Sequence, residues 1–304
     1  MLGSYLIVAV GFWVLILIVL PQLSMFDYSF RYNLPPAEIG TEKDVYTTSN
    51  YGHFFQGNEG NPDRLSVFGM ETDIPFNQIG MSVFFKTIVA AVFVTLFDLL
   101  LCYPLAYYLG QSKGGGFVRS LVLLLIIPYW VNEILRAFAF RIIFGATGVI
   151  NTSLVGLGIL DAPFDFVRED IALYAGLGYA YILLMIFPIY NAIESLDHNQ
   201  VEAARDLGSP WWRIHWRVVI PFAKPGIVSG CTMVFMLSAG ALAAPQILGG
   251  PSSLWFTQII YQWFNTGGNW PRGAAYAVVL LITCIIFVLA MMRIFKVKMG
   301  EIGK

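Results

Sequence analysis

Apolar residues in this chain fall in long, nearly unbroken runs, and the polar residues gather between them. Neither the alternation of a half-buried strand nor the narrow stripe of a surface helix has this pattern. The first run, Tyr5 to Leu20, is a little short of the roughly 20 residues that cross a bilayer, and Leu23 with its flanks completes it. Further spans are predicted over Val83 to Leu109, with Asp98 in the middle and Pro104 near the end, and over Leu121 past Pro128 to about Ala137. Ile171 to Tyr190, Gly226 to about Ala244 closed by Pro245, and Gly273 to Phe295 follow. The expected fold class is all-α integral membrane, with about six transmembrane helices.

The polar stretches orient these spans. Residues 1–23 form the first helix and 24–80 an insert rich in Asn, Gly, Pro and Thr. In that insert Asp27, Glu38, Glu42, Asp44, Glu59, Asp63, Glu71 and Asp73 outnumber Arg31, Lys43 and Arg64, which argues against the cytoplasm and for the periplasm. It reads equally as an ordered lid or docking surface and as a solvated loop. The connector Gln111 to Ser120 carries Lys113 and Arg119, and the tail, 296–304, continues a basic cluster of Arg293, Lys296 and Lys298. Both mark the inner side, so both termini are expected inside. Phe138 to Asp170, with Gly145, Gly148, Gly156, Gly158 and Pro163, reads as an irregular periplasmic excursion with short helices, some of it re-entrant. Trp263 and Trp270 read as interfacial anchors or docking residues. The first run lacks a basic start and a small-residue cleavage site, and is expected to be an anchor instead of a signal peptide.

Composition agrees. The 304 residues are 57% hydrophobic and 12% charged, against roughly 25% charged in a soluble domain, with a mean hydropathy of +0.68. Net charge is −1, which makes no case for nucleic acid, whose binding needs a basic patch. Cys102, Cys231 and Cys284 lie inside apolar runs without metal-ligand spacing and read as small buried hydrophobes. No G-x-x-x-x-G-K-[ST] phosphate loop, H-E-x-x-H or G-x-S-x-G occurs, and His53, His198 and His215 stand apart in sequence. A catalytic role in this chain, ATP hydrolysis included, is therefore not expected.

The longest charged interruption in the second half lies at 191–224. Asp197, with Gln200 three residues on, has the spacing of a capping box, and Gly208 can close the helix at positive φ. Ser209 then reads as the cap of a second helix with Pro210 at its first position. Arg205, Arg213, Arg217 and Lys224 put this knob on the inner side. Trp211, Trp212 and Trp216 also fit an amphipathic helix lying in the headgroup belt.

Glu202, Ala203, Ala204, Gly208, Val218, Ile220 and Pro221 together resemble the EAA loop of ABC importer permeases. The resemblance to the spermidine/putrescine-type branch, covering polyamine and opine-like systems, extends over about residues 80–295. It runs through Tyr103-Pro104-Leu105-Ala106-Tyr107, then Pro128-Tyr129-Trp130 with Asn132, Arg136, Gly148 and Asn151. Leu248-Gly249-Gly250-Pro251, Asn269-Trp270-Pro271 and Ala274-Ala275 complete it. It implies a type I importer permease fold with a core at 81–295, in the bacterial inner membrane. Implied partners are an ABC ATPase dimer that binds ATP and Mg, a second related permease, a periplasmic solute-binding protein and membrane lipid; this chain itself holds no cofactor or metal. Glu202, Ala203, Ala204, Arg205, Asp206 and Gly208 are the implied ATPase-coupling residues: the alanines allow close approach, and Glu202 and Arg205 offer charge.

The implied function is passage of a small organic solute, polyamine-like or amino-acid-derived, by alternating access. Similar polyamine permeases often carry acids at positions here held by Ala241 and Gln246, which leaves the charge of the cargo open. Glu133 and Asp98 are ionisable groups in or near spans and so candidates for the path, joined by Trp130, Asn132 and Arg136 beside the Pro128 break. Each has a plainer reading. Glu133 and Arg136 are i,i+3 and fit an ion pair; Asp98 fits a bond to a neighbouring helix or partner; Trp130 fits packing or the aromatic belt. Two other functions fit a six-span chain: an ion-coupled secondary transporter, which normally has internal repeats, and a membrane scaffold that transports nothing.

Overall fold

The computed structural model describes residues 2–57, 64–67, 70–75, 77–112, 116–251, 253–298 and 300, without the side chains of residues 2, 4, 36, 64–76, 116–119, 122 and 128. The expectations placed on Lys113, Glu59 and Asp63, and on the side chains of Arg119, Arg64, Glu71, Asp73 and Pro128, lie outside the described residues.

Six helical stretches are long and apolar enough to cross a membrane: Tyr5–Ser29, Gln78–Gln111, Glu133–Gly156, Ile171–Glu194, Trp211–Ala239 and Trp270–Phe295. They are called here the first to sixth spans. Most extend beyond the apolar runs that announced them. The first passes through Pro21 to Ser29, beyond the start of the expected insert at Ser24. The fifth begins at Trp211 instead of Gly226, so the second helix of the polar knob is the first part of a span.

The third span departs furthest from expectation. Gly116–Ile126 ends in a 3-10 turn, Ile127–Trp130, and a new helix runs Glu133–Phe144. Pro128 lacks an N–H and disrupts the preceding turn, so the expected single helix from Leu121 to Ala137 is broken. Asn132 starts the next helix, accepting a hydrogen bond from Ile134 N at 2.9 Å. In the stretch after Ala137, expected to be irregular with short helices, the helix runs on to Phe144 and a short one follows over Val149–Gly156. Asn151 is fully buried and ties down the irregular part. Its amide donates to the carbonyls of Gly145 and Phe164, both at 2.9 Å, and accepts from Phe164 N at 2.8 Å.

The chain divides into two compact units. One comprises Met1–Phe85 with Trp255–Thr283. Within it the first span buries none of its apolar window. The described residues of the insert include the helix Ser49–Gln56, which places Phe54 among Phe84, Phe256 and Tyr276, with ring centroids 5.2–5.8 Å away. Asn77 donates to Tyr276 Oη and to the His53 carbonyl, each at 3.1 Å, and two short strands, Arg64–Val67 and Met70–Pro75, pair antiparallel. Arg31 reaches Asp27 and Asp44, both at 2.7 Å, and its pKa rises above the usual arginine value mainly through the bond to Asp27.

The other unit comprises Lys86–Leu254 with Cys284–Lys304. The core of this unit is the fourth span, whose Leu173, Leu177, Met185, Ile186, Ile189 and Ile193 are fully buried. The fifth span lies directly on it. A Cβ at Gly226 would sit 2.3 Å from the Pro188 carbonyl oxygen, and one at Gly230 2.9 Å from Met185 Sδ. Small residues four apart allow this backbone approach, the usual means of helix association in a membrane. Phe235 stacks on Phe287 at 3.6 Å, and Lys86 bonds Asp170 at 3.0 Å. All three cysteines are free and buried.

Substituting Gly226 or Gly230 by Leu should destabilise the protein by about 1–3 kcal/mol, the usual cost of overpacking. In detergent the melting temperature of both variants should fall, while Gly156→Ala, whose added methyl meets open space, should melt like the parent. Equal melting of all three would refute the close-packing account.

Candidate coupling loop and solute path

Between the fourth and fifth spans the helix His198–Asp206 is held by local rules. Asp197 caps it through its side chain, accepting from Asn199 N at 3.0 Å, and not from Gln200, the bond a capping box requires. At the other end Gly208 N donates to the Arg205 carbonyl at 2.8 Å and Ser209 N to the Ala204 carbonyl at 3.1 Å. These are the two bonds of a Schellman ending, and Gly208 has the positive φ of +74° that it demands. The expected cap at Ser209 is not formed. Pro210 occupies the N-cap position, extended at φ −67°, ψ 151°, and the helix begins at Trp211. A residue before proline is steered away from helical backbone, which leaves Ser209 outside.

Burial divides the loop into a base and a tip. Leu196, Val201 and Ile214 are buried and form the base. Glu202, Ala203, Arg205, Asp206 and Gly208 are exposed and Ala204 half-buried, so the six candidate coupling residues lie on the outer side. Glu202 is not wholly free, because its carboxylate lies 3.0 Å from His198 Nε2. Sequence reasoning passed over Leu207, 86% exposed at the turn. An apolar residue just before the helix-closing glycine was the available signal.

A second feature of this unit is a hollow of about 360 Å3 lined by Glu133, Tyr181, Met236, Ala241 and Gln246 among others. Glu133 opens its helix, and Gly240 ends the fifth span so that the next residues turn into the hollow. Tyr181 donates to the Leu237 carbonyl at 3.3 Å. The hollow thus combines one carboxylate, a phenol, an amide and apolar walls. Ala241 and Gln246, singled out by the resemblance to polyamine permeases, line it together with Glu133.

The other path candidates lie elsewhere. Asp98 is 1% exposed, and neither carboxylate oxygen has a partner among the described residues; it packs where a Cβ on Gly178 would come within 2.9 Å. Asn132 is engaged as a helix cap, and Trp130 is 86% exposed. Arg136 donates to the Ala180 carbonyl at 3.5 Å and forms no ion pair with Glu133 among the described residues. Its guanidinium reaches the fourth span instead. Tyr181 and Met236 escaped notice because nothing in the local sequence brings them to Glu133.

Six helices long and apolar enough to cross a membrane make this a multi-pass membrane protein. Residues 102–300 match the family described as binding-protein-dependent transport system inner membrane component. The spermidine/putrescine transport system permease protein PotB of Haemophilus influenzae is 35% identical over 216 residues, 70% of this chain and 75% of that protein. PotB of Escherichia coli K12 is 30% identical over 289 residues, 95% and 96% of the two chains. The crystal structure of a bacterial ABC transporter involved in the import of alginate has a TM-score of 0.70 at 14% identity, over 97% of this chain and 95% of that one, a likeness of fold. The chain belongs to the binding-protein-dependent permease family and is a permease subunit of an ABC importer.

The Schellman ending carries its own test. Gly208→Val should strain the turn by about 1–3 kcal/mol, seen as faster proteolysis between residues 195 and 210, whereas Leu207→Ala should leave the cleavage rate unchanged. Indistinguishable rates for Gly208→Val and the parent would disprove the turn.

Proposed function

We propose that this chain is the inner-membrane permease of an ATP-driven importer that accepts a small organic cation from a periplasmic binding protein and passes it inward by alternating access. The observation that carries this reading is the exposed, doubly capped helix His198–Asp206 on its buried base of Leu196, Val201 and Ile214. Such a helix can sit in a cleft of an ATPase and pass on movement without unravelling. In this reading a separate ATPase dimer binds ATP and Mg, closes on ATP and moves the loop, and hydrolysis resets it. A second, related permease completes the path, and the binding protein docks on the periplasmic segments. Both termini and the loop lie in the cytoplasm. Relatives named for spermidine and putrescine support an amine cargo, and amino-acid-derived solutes remain within the same chemistry.

The hollow sharpens the cargo. Glu133 is the one carboxylate in its lining, which suits a single ammonium group on an otherwise apolar or hydrogen-bonding solute. A carboxylate's bond to a charged partner contributes about 1.5–3 kcal/mol. Glu133→Gln should therefore weaken uptake of the amine cargo roughly tenfold or more, measured in proteoliposomes with the complete complex, and Ala241→Asp should shift preference toward diamines. Unchanged uptake in Glu133→Gln would remove the hollow from the path. Glu202→Lys should separate ATP hydrolysis from uptake while the protein still inserts; normal coupled uptake would refute the coupling reading.

A further inference from the structure

Two histidines that stand apart in sequence, His198 in the loop and His215 at the start of the fifth span, fasten this region to the second span, which is not a covalent neighbour of the loop. His215 is 5% exposed, and its ring lies against those of Tyr107 and Trp211 with centroids 4.4 and 4.3 Å away. Its Nδ1 is 2.8 Å from Tyr103 Oη. Its Nε2 is buried without a partner among the described residues, so the Tyr103 hydroxyl supplies the hydrogen bond that the imidazole has there. At the other end of the loop His198 Nδ1 lies 2.8 Å from Oε1 of Gln111, the last residue of the second span. The same His198 ring holds Glu202 through Nε2.

The position of the His215 contact is informative. Tyr103 and Tyr107 bracket Pro104, an interior proline of the second span. A helix lacks one backbone hydrogen bond at such a point and bends there more readily than elsewhere. On the other side His215 opens the π-helical turn His215–Val219, where the fifth span is locally overwide. Two irregular helical sites are therefore joined by one short polar bond inside an aromatic cage. Apolar rings alone would permit sliding; a hydrogen bond away from water holds one register.

We propose that His215 and Tyr103 form the joint through which movement of the loop reaches the second span. The inference rests on the loop's role in ATPase coupling, and names the helix that the stroke moves besides the two the loop connects. His215 is a positioning residue in this scheme: it meets neither solute nor nucleotide. Gln111 and His198 form a second fastening, which keeps the helix carrying Glu202 in step with the end of the same span.

The test uses the complete complex of this chain with its second permease, ATPase and solute receptor in proteoliposomes, reading solute moved per ATP hydrolysed. Tyr103→Phe removes one oxygen atom. His215→Phe keeps the ring in its cage but loses the bond, whereas His215→Asn keeps a polar atom near Nδ1. Tyr103→Phe and His215→Phe should each lower transport per ATP at least fivefold while the complex retains its ATPase. Together they should be no worse than either alone, since both remove the same bond, and His215→Asn should recover at least half of the loss. Wild-type transport per ATP in Tyr103→Phe would overturn the joint, as would a loss of transport matched by loss of ATPase from the complex, the mark of a merely structural contact. Glu202→Lys separates the two levels: if it leaves coupling intact, the coupling role fails and this joint with it; if it uncouples and Tyr103→Phe does not, the joint alone fails.

Discussion

The backbones of the fourth and fifth spans meet at Gly226 and Gly230, and the geometry of the loop between them follows from that approach. Lipid is as apolar as the side chains it replaces, so helices in a bilayer gain little from burying leucine against leucine. They gain from close fit. Glycines four residues apart present a flat face to Pro188, Ala192 and Met185, and the facing helix comes within contact distance of bare backbone. Once two adjoining helices are fixed in this way, the ends of the intervening loop are fixed too. The remaining freedom is removed locally, by the Asp197 cap, the Gly208 turn and the buried side chains of Leu196, Val201 and Ile214.

Charge is distributed by the same economy of environment. An ionised carboxylate away from water is costly unless paired. Asp170 meets Lys86 at 3.0 Å and accepts from Gly250 N at 3.3 Å, at the start of the fourth span. Glu133 faces a hollow. Asp98 has neither resource among the described residues: both of its carboxyl oxygens are buried without a hydrogen-bond partner. The two acids therefore differ in kind. Glu133 lines an open hollow, and Asp98 is packed in the interior of its unit against Gly178.

Much of this was legible in the chain, and the failures have physical causes. Runs of about 20 apolar residues announce spans whatever the tertiary structure. Hydropathy, however, reports where lipid is and not where a helix stops. Gln78 and Gln111 are polar and helical, so the second span outruns Val83 to Leu109 at both ends. Trp211 to Pro225 reads as the second helix and end of the polar knob, and not as part of a span, because Arg213, Arg217 and Lys224 interrupt it, though none of them breaks a helix. The loop itself could be read because caps and glycine turns act within a few residues. The hollow could not, since Glu133, Tyr181 and Gln246 come from separate helices. His215 looked solitary for the same reason: its partner Tyr103 is 112 residues away.

Loop and hollow are joined by one continuous element. The fifth span runs for 29 residues from Trp211, just beyond the loop, to Ala239, where Gly240 turns the chain into the hollow. At 1.5 Å per residue that is about 43 Å, more than the thickness of a bilayer core. Displacement at one end of such a helix must appear at the other unless the helix bends between. Its two irregular points are the turn at His215–Val219 and Pro225, both in the half nearer the loop. The half nearer the hollow is regular, stacked through Phe235 on Phe287 and, at Gly226 and Gly230, seated on the fourth span. A helix of this build can bend at those two points, and beyond them Met236, Leu237 and Gly240 lie at the end of one regular segment whose place is set by its contacts with the fourth span and Phe287.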